Sequence, residues 1–281
     1  MLDKKIDLHI HSRYSDGLLW PDEIIKYAVM RNIAAISIAD HDTVAGIESA
    51  VQEGEIAGVE VVPGIEISVF MNNRELHFLG YFFDYKHPEI RSYNRALEIS
   101  REKRAQEIIR LLNKLGFRLR IQDVIKISGN APIGRPHIAE ALVAHNYVFS
   151  LRDAFNKYLG EGKPAYVPKS IVKPADAIQL IKKTDGLVFL AHPAAGYVND
   201  REIQELVDNG LDGLETIHPK HTNRDVRSLQ QIAKKYNLLQ SGGSDCHGGR
   251  EGGVIIGSQD VPYSFLKDMK KSTKYSEPES F

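Results

Sequence analysis

Lys5-Ile6-Asp7-Leu8-His9-Ile10-His11-Ser12-Arg13-Tyr14-Ser15-Asp16-Gly17 is the stretch on which the rest of the chain is read. Successive side chains of a strand point to opposite faces, so His9 and His11 point the same way and can present two imidazoles to one ion. Asp16 follows in the loop. The rival reading is a half-buried edge strand with two solvent-facing histidines, because a short motif alone has a real false-positive risk. The other strands decide between the two by supplying partners or failing to.

Working outward, Pro21 to Arg31 reads as a helix, with Pro in the first turn, Asp22 and Glu23 at the positive end and apolar residues at helical spacing. Ala34 to Ala39 is a short apolar run of strand length that ends at Asp40-His41-Asp42, and Thr43 is expected to cap a helix reaching about Ala57. Val59 to Phe70 is β-branched and contains Pro63-Gly64-Ile65-Glu66. Arg74 to Phe83, with His77 inside it, is its expected hairpin partner across Met71-Asn72-Asn73.

From about His87 the texture changes to long polar and basic helical patterns. Glu89 to Leu115 reads as one long helix closed by Gly116, and shorter ones are expected at 121–128, 136–145 and 151–159. We read residues 87–172 as an inserted helical subdomain. It holds a Gly134-Arg135-Pro136-His137 turn and a Gly160-Glu161-Gly162-Lys163-Pro164 loop. Strand and helix alternate again from Pro174, with apolar strands ending at His192-Pro193, in Leu214-Glu215-Thr216, and at Gly243-Ser244-Asp245-Cys246-His247. About seven strands result. Their order argues an α/β fold, a mostly parallel barrel-like sheet from residues 1–86 and 173–270 wrapped by helices, with a polar, mobile tail at 271–281.

The composition, 42% hydrophobic and 26% charged over 281 residues, is that of a globular chain. No apolar run approaches a membrane span, and Met1-Leu2-Asp3-Lys4-Lys5 passes straight into the first strand, so a cytoplasmic location is expected. The single cysteine, Cys246, excludes an intramolecular disulfide and a thiolate-rich zinc cluster. Any metal would have to be held by nitrogen and oxygen, for which eleven histidines are available. A net charge of −1 gives the whole protein no footprint for long nucleic acid, and a small anionic substrate suits it better.

Polar residues of metal-binding type gather where the strands end. His9 and His11 close the first, His41 follows the second, Glu66 interrupts the third, and His192, Asp245 and His247 follow later ones. Strand C-termini of α/β barrels converge on one face, so such scattered groups can share a pocket. With Asp16 and His77 they make nine nitrogen and carboxylate donors, too many for one tetrahedral ion and enough for two or three. That ligand set suits Zn, Mn or Fe and disfavours calcium. Closely spaced ions clamp an oxyanion and bring the pKa of a bound water toward ~7, which makes phosphoester hydrolysis by metal-bound hydroxide the natural chemistry.

These motifs resemble the polymerase and histidinol phosphatase (PHP) family. The likeness rests on His9-x-His11 with Asp16-Gly17, Ala39-Asp40-His41-Asp42, Pro63-Gly64-Ile65-Glu66-Ile67-Ser68, His77, His192-Pro193 and Gly243-Ser244-Asp245-x-His247. It implies a distorted (β/α)7 TIM-like barrel with two or three divalent ions. One would be held by His9, His11, Glu66 and Asp245, a second by Glu66, His77 and His192, and a third by Asp16, His41 and His247. Every matching position is filled. The Gly134-Arg135-Pro136-His137 turn and the Tyr158 to Val167 loop point within the family to nucleoside 3′,5′-bisphosphate phosphatases, which also act on the 5′ ends of short oligoribonucleotides.

Arg135 then reads as a phosphate fork, since a guanidinium gives bidentate contacts, with His137 beside it in substrate binding. The alternative for Arg135 is a surface charge at a helix start. Lys163 is expected to help bind the anionic substrate, against a default of plain solvation. His221 is expected to donate a proton to the leaving oxygen or to bind phosphate, and otherwise is a loop histidine. Cys246 should be packed rather than catalytic, and Asp40 and Asp42 should orient His41 or cap the next helix.

The expected function is removal of a phosphate, first the 3′-phosphate of a nucleoside 3′,5′-bisphosphate. The alternatives are 5′-to-3′ hydrolysis of short RNA, histidinol phosphate hydrolysis, and a catalytically silent PHP module.

Overall fold

The computed structural model describes residues 4–129, 131–169, 172–196, 198–249 and 252–273. The chain forms two compact units, Met1–Arg91 with Val172–Phe281, and Ser92–Ile171. In chain order it runs β1 (Lys5–Ile10), α1 (Pro21–Met30), β2 (Ile33–Ile38), α2 (Ile47–Ala57), β3 (Glu60–Val61), β4 (Gly64–Met71) and β5 (Arg74–Tyr81). Four helices follow: α3 (Pro88–Lys114), α4 (Ile121–Ser128), α5 (Arg135–Ala144) and α6 (Leu151–Ala154), the last prolonged by a π-helical turn over Phe155–Leu159. The chain then makes α7 (Pro174–Lys183), β6 (Leu187–Leu190), α8 (Asp200–Asp208), β7 (Gly213–Ile217), α9 (Asn223–Lys235), β8 (Leu239–Gly242), β9 (Val261–Pro262) and α10 (Tyr263–Ser272).

The strands of the first unit form two sheets, ordered β3-β2-β1-β9 and β4-β5-β6-β7-β8. β1, β2 and β3 are parallel, as are β6, β7 and β8, whereas β9 runs against β1 and β5 runs against both of its neighbours. Strands such as Ile33-Ala34-Ala35-Ile36-Ser37-Ile38 are buried on both faces, which explains their nearly continuous apolar sequence. One core cluster, including Ile6, Leu8, Leu79, Tyr81 and Phe189, draws on strands of both sheets. Another packs Ile24, Ile25 and Ala28 of α1 against Ile33, Ile36 and Ile38 of β2.

The two sheets meet only through single bridges among the described residues, Ile10 with Cys246 and His41 with Glu66. The expected α/β arrangement is present, but the continuous ladder of a closed seven-stranded barrel is not formed. The reason is local: Asp42 and Asp245 turn out of strand geometry at φ 56° and 50°, and a left-handed residue cannot continue a ladder. Other expectations shift by a few residues. Thr43 does not begin α2; its hydroxyl accepts the Ala45 N–H, and the helix starts only after Gly46. The single strand expected at 59–70 is broken into β3 and β4 around Pro63. The start of the expected tail, through Ser272, belongs to α10, and residues 274–281 lie outside the described residues.

The second unit has its own core, in which Ile108 and Leu112 of α3 pack with Leu119, Val124, Ile138 and Leu142. The Asn113 amide pins the turn after α3 by bonding both the N–H and the C=O of Leu119 at 2.9 Å. Ser150 caps α6 by accepting the Asp153 N–H at 3.1 Å.

Candidate metal centre

Backbone bonds across the sheet junctions bring the polar residues of the first unit together. Asp245 N–H donates to His9 C=O at 2.8 Å and His11 N–H to Cys246 C=O at 3.0 Å, so the His9/His11 and Asp245/His247 pairs interleave. Glu66 N–H donates to Asp40 C=O at 3.1 Å and Asp42 N–H to Glu66 C=O at 2.8 Å, which sets His41 beside Glu66. Ala191 N–H donates to His77 C=O at 2.9 Å and brings His192 against His77. Two glycines of the motifs are required by space: a Cβ on Gly243 would stand 2.4 Å from the Cβ of His9, and one on Gly17 would stand 2.3 Å from His11 C=O.

His9 Nε2 lies 3.2 Å from His11 Nε2, 3.5 Å from Glu66 Oε2 and 3.6 Å from Asp245 Oδ1. His11 Nε2 is 3.2 Å from both carboxylate oxygens. Two ligands held ~2.1 Å from one ion stand about 3.0–3.5 Å apart, so these spacings are those of a shared cation. Glu66 divides its oxygens: Oε1 is 2.8 Å from His77 Nδ1 and 3.1 Å from His192 Nε2, while Oε2 also lies 2.9 Å from His41 Nδ1. Asp16 stands 3.4 Å from His247 Nε2, 3.8 Å from His11 Nδ1 and 4.0 Å from His41 Nε2. Glu66 Oε2, His11 Nδ1 and His41 Nδ1 are buried without a hydrogen bond. Buried orphan acceptors among nitrogen and carboxylate donors fit divalent ions well.

A second layer sets which atom each candidate donor presents. Fully buried Glu215 places Oε1 2.9 Å from His9 Nδ1 and accepts the His192 backbone N–H on Oε2 at 2.8 Å. The proton on His9 is thereby assigned to Nδ1, leaving Nε2 to face the other donors. His218 Nδ1 accepts the Lys220 N–H at 3.1 Å, so its Nε2–H is directed at Asp245 Oδ2, 3.2 Å away. His247 Nδ1 donates to Asp245 C=O at 2.9 Å, again freeing Nε2, and His77 Nε2 is 3.2 Å from Glu75. Asp7 accepts the N–H groups of Ser244 at 2.9 Å and Gly257 at 2.7 Å, and Asp40 accepts Ser12 N–H at 2.7 Å, so both carboxylates anchor ligand-bearing loops. Asp42 is bonded to Ser68 N–H at 2.9 Å, which ties the loop after β2 to β4.

Burial opposes ionisation throughout this cluster, yet the charges prevail. Burial raises Asp16, Glu66 and Asp245, but the surrounding imidazoles hold all three below the ordinary carboxylate range. Glu215 is held at about 2, burial being outweighed by His9, His218 and their neighbours. Burial pushes His11 down, while the neighbouring carboxylates of Asp245 and Glu66 carry it up to about 10. A divalent ion can take the place of protons held in this way.

The remaining candidates are His221 of the first unit and three residues of the second. His221 donates Nδ1–H to Thr216 C=O at 3.1 Å, its Nε2 is buried without a hydrogen bond, and its ring centre is 5.3 Å from that of His218. Arg135, His137 and Lys163 belong to the second unit. The Arg135 guanidinium lies between Phe155 and Tyr166, 5.7 and 5.5 Å from the ring centres, and donates to Leu159 C=O at 3.2 Å. His137 is buried and accepts the Gly134 N–H at 3.2 Å, and Lys163 is exposed. Cys246 is buried and takes two backbone N–H contacts at 3.4 Å. Glu215 is the member of the cluster that the sequence reading missed, and His218 is one it left without a role. The available signal was a carboxylate inside an apolar strand that ends on the same side as the others.

Comparison with known proteins agrees with this geometry. A 5′-3′ exoribonuclease from Haemophilus influenzae is 34% identical over 250 residues, 88% of this chain and 91% of its own length. A 3′,5′-nucleoside bisphosphate phosphatase from Chromobacterium violaceum is 31% identical over 263 residues, 92% of each chain. A solved chain from Bifidobacterium adolescentis, assigned as a metal-dependent phosphoesterase, superposes with a TM-score of 0.85 at 29% identity over 95% of both chains. The model of the PHP domain matches residues 7–199, and the chain belongs to the PHP domain family of metal-dependent phosphoesterases.

Proposed function

We propose that this protein removes a phosphate from small phosphorylated nucleotides, in the first place the 3′-phosphate of a nucleoside 3′,5′-bisphosphate. The observation that carries the reading is Glu66, whose two oxygens are shared between separate groups of imidazoles, as a carboxylate bridging neighbouring cations would be. In this reading His9, His11, Glu66 and Asp245 hold one ion, Glu66, His77 and His192 a second, and Asp16, His41 and His247 a third. Manganese, iron and zinc suit the donors. When bound, such ions neutralise phosphoryl oxygens and make water acidic enough to attack near neutral pH.

The chain's own groups do the rest. Glu215 and His218 keep His9 Nε2 and Asp245 Oδ1 directed inward. Burial lowers the pKa of His221, so its Nε2 rests as an acceptor and must take up a proton before donating one to a leaving oxygen. Arg135, with no carboxylate paired to it among the described residues, keeps N–H groups for a phosphate, and His137 and Lys163 assist in binding the anion. The 31% identical bisphosphate phosphatase supports the monoester reading. The 34% identical exoribonuclease supports a second one, attack on the 5′ end of short RNA by the same centre. Histidinol phosphate ranks third, and a silent module is disfavoured because no ligand position is vacant.

The test is a panel of adenosine 3′,5′-bisphosphate, 5′-phosphorylated short RNA and histidinol phosphate, with manganese added and products identified. Adenosine 5′-monophosphate with free phosphate from the first substrate is the expected result. Release from none of the three overturns the enzymatic reading.

A further inference from the structure

The near-neutral charge of the whole chain conceals a strong division. Residues 92–171 contain fourteen Lys and Arg against seven Asp and Glu, net +7, while the rest of the chain has twenty-two against thirty, net −8. Much of the acid in the second unit is already matched within it: Glu107 by Arg110, Asp123 by Arg120 and Asp153 by Lys157. Among the remaining cations Arg118, Lys126 and Arg152 are all exposed.

The same unit exposes an aromatic ring among these charges. Phe149 is 95% exposed, although burial of such a ring is favourable, and the Lys157 ammonium stands 6.0 Å from its centre. Two residues earlier, Tyr147 accepts the Arg118 N–H at 3.3 Å and lies parallel to His145, with ring centres 5.7 Å apart and planes at 9°. Cations alternating with ring faces are the combination that holds single-stranded polynucleotides, by phosphate contacts and base stacking together.

We propose that the 92–171 unit carries a strand-binding surface, with Phe149 as its stacking platform and Arg118 and Arg152 as its phosphate contacts, and that it holds single-stranded RNA. This inference rests on the proposed reading of the substrate as a phosphorylated nucleotide, and extends it from a mononucleotide to a chain. A surface of this kind gains contacts with every added nucleotide, so affinity should grow with substrate length and fall steeply with salt.

The test measures binding of the full chain to 3′-labelled, 5′-phosphorylated oligoribonucleotides, a dimer and a decamer, by fluorescence anisotropy in excess chelator so that nothing is hydrolysed. The decamer should bind at least ~10-fold more tightly than the dimer, consistent with several added contacts. Phe149→Ala should weaken the decamer by roughly 10-fold. Arg152→Gln should flatten its salt dependence by about 0.7 in logarithmic slope. Both variants should release phosphate from adenosine 3′,5′-bisphosphate at the wild-type rate. Equal binding of dimer and decamer, or variants that bind the decamer as the wild type does, would overturn the surface. Length-dependent binding without hydrolysis of any substrate would support the surface and overturn the proposed function instead.

Discussion

Glu215 shows how a single buried residue governs several others. A fully buried carboxylate is costly unless paired, and this one is satisfied by the His9 ring and the His192 backbone at once. Glutamine at this position presents one oxygen and one NH2, so it cannot accept from both donors. Glu215→Gln should therefore lower metal affinity about 10- to 100-fold, read by titrating the metal-free protein and measuring bound metal. Metal affinity equal to wild type, with only a lowered melting temperature, would reduce Glu215 to a core group. Gly243 sets a second constraint, because a side chain there meets the backbone of His9. Gly243→Ala should cost about 1–3 kcal/mol in chemical denaturation, and an unchanged midpoint would contradict the close approach. The ligand-type residues were legible in the sequence because His and acidic residues at strand ends are conspicuous. Glu215 and His218 were not, because their meaning depends on which side chain lies opposite, and that is decided across 206 and 27 residues of chain.

At the level of elements, the β4–β5 hairpin was legible from a β-branched run and an apolar run either side of Asn72-Asn73, both of which take positive φ in the turn. What locks it was not. Arg74 pairs with Glu202 of α8, and Asn72 donates to the same oxygen at 2.9 Å. Glu202 also completes the cap of its own helix by accepting Asn199 N–H at 3.1 Å. The Arg74 hydrogen bond, ahead of a smaller opposing effect of burial, lowers Glu202 to about 2 from an ordinary 4.5. A depressed carboxylate stabilises fully above its unfolded pKa and loses that contribution as pH falls through its folded one. Glu202→Gln should therefore be less stable than wild type by about 1–3 kcal/mol at neutral pH, with the two denaturation curves converging as pH falls from 4.5 toward 2. A gap that stayed constant over that range would show that the charge plays no part. The break between β3 and β4 was hidden for a similar reason: β-branched residues run on through Pro63, and only the close approach of Gly64 to Ser37 explains the change of partner.

Over the whole molecule, alternating strands and helices with an interposed helical block could be read from periodicity alone, and the α/β class with it. Closure of the sheet could not, since it depends on whether the residues linking strand ends keep extended geometry, and here Asp42 and Asp245 do not. Those departures from strand geometry coincide with the ligand clusters, so the interrupted ladder and the candidate centre have a common origin. Nor did the overall charge of −1 reveal that the inserted unit is basic and the remainder acidic. The central claim is that Glu66 joins the imidazole groups into one metal-dependent phosphoesterase centre. It is tested most directly by phosphate release from adenosine 3′,5′-bisphosphate, comparing wild type with Glu66→Gln under the same manganese supplement. The account predicts release by the wild type that chelator abolishes, and a loss of at least about 100-fold in the variant; equal rates for the two proteins would contradict it.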